Sequence, residues 1–159
     1  MMNADKLLFL QRDFIPLLQR LDPSTPPAWG KMSVHQMIEH FTDAVHLATG
    51  KLEFPAMGDA NAQRKAHAFM MSDKPMRENT RNPFLPEEPP PAHRATVQAA
   101  ISDLKQALIE FFQAHEQDAL KRTPNPFFGT LDYAEQVQLL HKHALHHLRQ
   151  FGIVPLEKA

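Results

Sequence analysis

The chain has 159 residues, 43% of them apolar and 22% charged, with a formal net charge of -1 when histidine is neutral. That length predicts a single domain over residues 1–159 with one substantial core, and the near-neutral balance lacks the basic face of a nucleic-acid binder. There is no cysteine, which excludes disulfides, thiolate zinc sites and cysteine nucleophiles; any thiol chemistry must use a thiol from outside the chain.

The opening stretch MMNADKLLFLQRDFIPLLQRL is interrupted by Lys6, Arg12 and Asp13, so it reads as a mature helix and not as a signal peptide. No apolar run approaches the roughly 18 residues of a membrane span. No membrane contact is therefore expected, and the expected compartment is the cytoplasm. Helical periodicity runs from about Ala4 to Leu21 through Leu7, Leu8, Phe14, Leu17, Leu18 and Leu21. Pro16 lies inside that stretch and predicts a kink or break. The proline-dense turn LDPSTPPAWGK follows.

A second helix is predicted from Ser33, where Ser33 and Gln36 form a capping-box pattern, to a stop at Gly50. Val34, Met37, Ile38, Phe41, Val45 and Ala48 form its inner stripe. His40 sits at the edge of that stripe beside Met37, Ala44 and Leu47, while His35 and His46 project the other way. A short helix is predicted around Ala60 to Met71. The stretch SDKPMRENTRNPFLPEEPPP then carries too many prolines for a helix or central strand and reads as an extended crossover. In it, Arg81 and Asn82 could face an anionic substrate, although a solvated loop is the expectation.

The third helix is predicted from about Pro91 to Gln117, with Val97, Ile101, Leu104, Leu108, Phe111 and Phe112 inward. After the loop KRTPNPFFGTL, Asp132 and Glu135 make a second capping signature. The fourth helix follows, with Tyr133, Val137, Leu140, Ala144, His147 and Phe151 recurring at three- and four-residue steps before Gly152 and Pro155 end it. No segment shows strand alternation. Four amphipathic helices with a long connection predict an all-α four-helix bundle.

Ten histidines are present, and most have a bland reading as solvated or hydrogen-bonded groups. His143 and His147 are different. They stand four residues apart in LLHKHALHHLRQFG, so on a helix they share a face and can grip one ion. His147 lies on the apolar stripe with no acid beside it, and a buried imidazole without a partner is costly. With His40 from the second helix they make a three-histidine set that leaves a coordination position open, the plan of a catalytic metal site. His146 is expected on an outer face, as is His141; His35, His46, His67, His93 and His115 are expected at the surface. HExxH is absent, so no general base stands in the zinc-protease position. Trp29 and Gly30 read as packing and a turn. The aromatics of Asn125-Pro-Phe-Phe-Gly129 are expected to cap one end of the bundle.

The segments WGKMSVHQMIEHFTDAV, NPFFGTLDYAEQ and HKHALHHLRQFG together resemble the DinB-like (DinB/YfiT-like) superfamily of proposed metalloenzymes, closest to a subgroup known only as a domain of unknown function. The resemblance covers most of the chain, with its motifs at 29–45 and 125–152. It implies an up-up-down-down four-helix bundle with a long crossover, and a divalent ion, zinc or nickel, on His40, His143 and His147. The subgroup usually has histidine where this chain has Asn125, which removes that loop from coordination. Characterised relatives include S-transferases and isomerases that use low-molecular-weight thiols, and many are homodimers. The resulting expectation is a metal-dependent transferase or hydrolase acting on a small molecule with an external thiol. Its rival is a non-enzymatic metal-binding or stress-associated bundle with a vestigial site. No catalytic acid or base is identifiable.

Overall fold

The computed structural model describes residues 1–79 and 82–153. Arg81 and the proposed helix stop at Pro155 lie outside the described residues. The first helical stretch comprises α1 (Ala4–Leu8), a π-helical turn (Phe9–Asp13) and α2 (Phe14–Arg20). It does not break at Pro16. The proline ring in a regular helix would strike the carbonyl four residues back, that of Arg12. Here the ladder widens upstream, with the Phe14 N–H donating to the Phe9 carbonyl, so the irregularity falls before the proline.

The second helix, α3, spans Val34–Thr49. Its capping box forms as predicted: Ser33 Oγ accepts from Gln36 N at 3.1 Å, and Gln36 Oε1 accepts from Ser33 N at 2.9 Å. Gly50 ends it at φ 90°, a left-handed conformation that costs glycine little. α4 (Ala60–Met71) begins where Asp59 Oδ1 accepts from Ala62 N at 2.8 Å.

α5 (Val97–Gln117) starts later than the predicted Pro91. The cause is tertiary. The Glu39 carboxylate on α3 takes the His93 and Arg94 N–H groups at 2.7 and 2.8 Å, holding that segment out of a helix. Thr96 then caps Ala99 N at 3.1 Å. A hairpin that the sequence did not predict, β1 (Thr123–Asn125) with β2 (Gly129–Leu131), precedes α6. Its antiparallel register pairs Thr123 with Leu131 and Asn125 with Gly129. Three-residue strands are too short to show alternation. α6 (Tyr133–Gln150) begins with the predicted Asp132–Glu135 capping box.

The contacts fix helix directions. α3 and α5 run parallel: Glu39 meets the approach to α5, and Lys51 pairs with Glu110 at 2.6 Å beyond the far end of α3. α3 and α6 run antiparallel: Ala28 N donates to Gln150 O at 2.7 Å, while Ala48 O at the other end accepts from Thr123 Oγ1, which accepts from Gln136 Nε2. α1 runs parallel to α6, with Lys6 Nζ on Gln138 Oε1 at 2.6 Å and the Phe9 ring 5.2 Å from His141. With α4 set aside as part of the crossover, α1, α3, α5 and α6 run up, down, down, up, in place of the expected up-up-down-down order. The short proline-rich turn returns the chain antiparallel to α1. The long crossover carries it back along the molecule, so that α5 can run beside α3 in the same sense.

The core lies among these helices, with Phe14, Phe41 and Phe111 fully buried alongside Met37, Ile38, Leu104, Leu140 and Leu148. A smaller cluster of Met70, Leu131 and Leu139 sits under the hairpin, with Phe128 against it. The buried Lys142 ammonium donates to the carbonyls of Ser72, at 2.8 Å, and Lys74, tying the start of the crossover to α6. Among the described residues, no helix is long and apolar enough to cross a membrane.

Candidate metal centre

His40 sits mid-way along α3, and His143 and His147 lie one turn apart on α6. Antiparallel packing brings them together, so that one nitrogen from each ring lies within 4.8 Å of the other two. His143 Nε2 and His147 Nε2 approach to 2.8 Å. The His40 ring is 5.2 Å from each of the others, and the Phe41 ring backs His143 at 4.9 Å.

Burial sets the charge of this group. It pushes His40 down to about 4, with a further lowering by His146. It also holds His143 and His147 well below the ordinary histidine value, and neighbouring imidazoles push the same way. All three rings are therefore neutral at pH 7, the form in which imidazole binds a metal. The donors suit a borderline ion such as zinc: three neutral nitrogens, with no carboxylate within the group. A buried set of lone pairs facing one another is costly unless protons or an ion lie between them.

Sequence reasoning missed Gln150. Its Oε1 lies 2.8 Å from His147 Nδ1, and its Nε2 donates to the Trp29 carbonyl at 3.0 Å. The i, i+3 spacing from His147 was the available signal. Gly30 belongs to the same support: at φ 73° it adopts a left-handed turn, and a Cβ there would lie 3.3 Å from Gln150 Nε2. The Trp29–Gly30 turn thus packs against the candidate site.

Other histidines depart from expectation. His146 is half-buried and not on an outer face: its ring lies 5.1 Å from His147 and 5.3 Å from Trp29. His141 is also half-buried, pushed down to about 4 by burial and then by the charges of Lys6 and Lys142. His115 is buried, not at the surface; it stacks on Tyr133 at 5.0 Å and reaches the Ala48 carbonyl at 3.2 Å. His67 is half-buried against Glu135, and His35 lies 3.3 Å from Glu39. His46 is half-buried, and His93 is exposed as expected. His67 on α4 and His115 on α5 are not the surface residues expected, because the groups that cover them come from distant segments.

The loop before α6 is structural. Asn125 is buried, and its Oδ1 accepts from Phe127 N at 2.9 Å and Phe128 N at 3.2 Å, holding the hairpin turn. Phe127 meets Phe84 of the crossover, which stacks on Phe54. Asn82 closes a local turn on Phe84 N at 2.9 Å. Asn125→Ala should therefore cost about 1–2 kcal/mol in chemical unfolding, from two lost hydrogen bonds. Metal content should be unchanged; its loss would tie this loop to the centre.

A mostly helical chain with three converging imidazoles defines a class of candidate metalloprotein. The DinB superfamily profile matches residues 7–151, and the chain belongs to that superfamily. Searches of curated proteins and of solved structures return no match.

Proposed function

We propose that this chain is a metal-dependent enzyme of the DinB type that holds a divalent ion, zinc or nickel, on His40, His143 and His147. The observation carrying this reading is the approach of three imidazoles from two helices, His147 buried and His40 and His143 half-buried, all held neutral by the loss of solvent around the rings. Superfamily membership supports it. In the same reading the helices form one four-helix bundle over residues 1–159, acting in the cytoplasm as a homodimer.

A divalent ion held by His40, His143 and His147 would supply Lewis acidity for activating a nucleophile. The chain supplies the rest. Burial keeps the ligand imidazoles unprotonated, and Gln150 fixes how His147 presents its ring. The Phe41 ring limits water beside His143. The reaction we favour is transfer to, or hydrolysis of, a small electrophile, with a low-molecular-weight thiol as cosubstrate. With no cysteine in the sequence, that thiol would have to come from outside the chain.

A second reading has one observation in its favour. Clefts of about 260 and 210 Å³ are lined by residues such as Leu10, Arg12 and Phe112, and Thr42, Asp103 and Glu110, with no ligand histidine in either. Neither cleft opens onto the histidine group, as a metal-binding bundle without turnover would have it. The test is metal analysis of untagged protein, followed by assay of the zinc- and nickel-loaded forms with a thiol and a series of small electrophiles. Metal-dependent turnover supports the enzyme. Stoichiometric metal without turnover across the series favours the second reading, and failure to bind either ion overturns both.

A further inference from the structure

The hydrogen bonds leading away from the three histidines have a fixed direction. The Trp29 carbonyl can only accept, so the group facing it at 3.0 Å must be the amide nitrogen of Gln150. The amide oxygen then faces His147 Nδ1 at 2.8 Å, and that nitrogen must carry a proton to donate. A neutral imidazole holds one N–H, so His147 Nε2 is an unprotonated acceptor. It lies 2.8 Å from His143 Nε2, which must therefore be the donor when no ion separates them.

From this chain of polarity we propose that Gln150 is a positioning residue that locks His147 in the Nδ1–H tautomer, and that His143 is the ligand that changes tautomer when an ion binds. The inference rests on the metal-site reading for its second half only. His147 already presents its lone pair inward. His143 presents an N–H, and a proton on Nε2 excludes coordination through that atom. On loading, the Nε2 proton passes to solvent and Nδ1 takes one up, so the ring stays neutral and protons balance. Gln150 lies buried at the end of α6, and its own backbone carbonyl accepts from Ala28 N at 2.7 Å. The turn at residues 28–30 thus holds Gln150 by its backbone carbonyl and by its side-chain amide, with Gly30 leaving room for the latter.

The test is two-dimensional ¹⁵N–¹H correlation of the histidine rings in zinc-free and zinc-loaded protein. His147 should show the Nδ1–H tautomer in both states, while His143 should change from Nε2–H to Nδ1–H with zinc. Gln150→Leu should release the His147 tautomer and weaken zinc binding by about 10–100-fold. Gln150→Glu, which still accepts from Nδ1 but sets a carboxylate oxygen against the Trp29 carbonyl, should lower stability yet keep the Nδ1–H tautomer. That split distinguishes positioning from a general packing role. An Nε2–H tautomer for His147 in the parent protein overturns the proposal even if both variants fail to fold. So does a His147 tautomer unchanged in a folded Gln150→Leu variant, or a His143 that keeps its Nε2–H in zinc-loaded protein. If the parent protein takes up no zinc, the metal reading fails, and the zinc-free spectrum still decides the role of Gln150.

Discussion

Replacing His143 or His147 with alanine should weaken zinc binding by more than about a hundredfold, beyond the range expected when only a supporting hydrogen bond to a ligand is lost. Either change leaves two nitrogens, one of them on α3, and a gap on the shared face of α6. His40→Ala should behave the same way, because it removes the only ligand that α3 contributes. His93→Ala is the control, since the His93 side chain is exposed and outside the three-histidine group, and alanine keeps the backbone N–H that Glu39 holds. His146 does not serve as a control: its ring packs on both His147 and Trp29, so truncating it disturbs the centre indirectly. The measurement is a competition titration of zinc against a chromophoric chelator. Parent-like affinity in His143→Ala and His147→Ala would remove this pair from the site. Equal loss in His93→Ala would show that the effect is not local.

Metal-free protein should lose stability steeply in mild acid. The folded pKa of His40 lies at about 4, below the value of 6.5 expected in the unfolded chain. The unfolded state therefore binds more protons between these values. The stability associated with a neutral His40 is fully present above pH 6.5 and is lost as pH falls toward 4. From that shift, His40 alone contributes about 3 kcal/mol, of which about 2 kcal/mol is gone by pH 5. His143 and His147 act in the same direction. Urea unfolding in the presence of chelator, at pH about 7.5 and about 5, measures the difference. Equal midpoints would mean that these rings are not buried neutral groups. Zinc should raise stability by a similar amount at both values, because bound ion adds by mass action and the folded rings stay largely unprotonated at pH about 5.

The low pKa values also change what the sequence leads one to expect of metal release. Ten histidines with ordinary titration suggest loss of metal near pH 6. Rings already held neutral by burial retain their lone pairs further into acid. Release of metal and acid unfolding should therefore approach one another, instead of forming two separated steps.

Elements governed by local physics were legible in the amino-acid order. Ser33 with Gln36 and Asp132 with Glu135 placed the starts of α3 and α6, because a capping box is made within four residues. The His143–His147 pair was legible for a related reason: a four-residue step fixes a shared helical face. His40 followed from its place at the edge of an apolar stripe, and the superfamily from the combination of three motifs.

Features that depend on residues far apart in the chain came from packing. Glu39 holds the backbone of His93 and Arg94, which delays α5 to Val97. The π turn before Pro16 replaced the predicted break by shifting the irregularity upstream. Helix order also lay beyond reach, since amphipathic stripes say which face packs inward but not which way a neighbour runs. The burial of His115 and His146 arises from Tyr133, Ala48 and Trp29, none of them on the same helix. Gln150 was visible as a helical neighbour of His147, but its direction was not. The polarity of that amide is set by the Trp29 carbonyl, a group 121 residues away that only folding brings within hydrogen-bond reach.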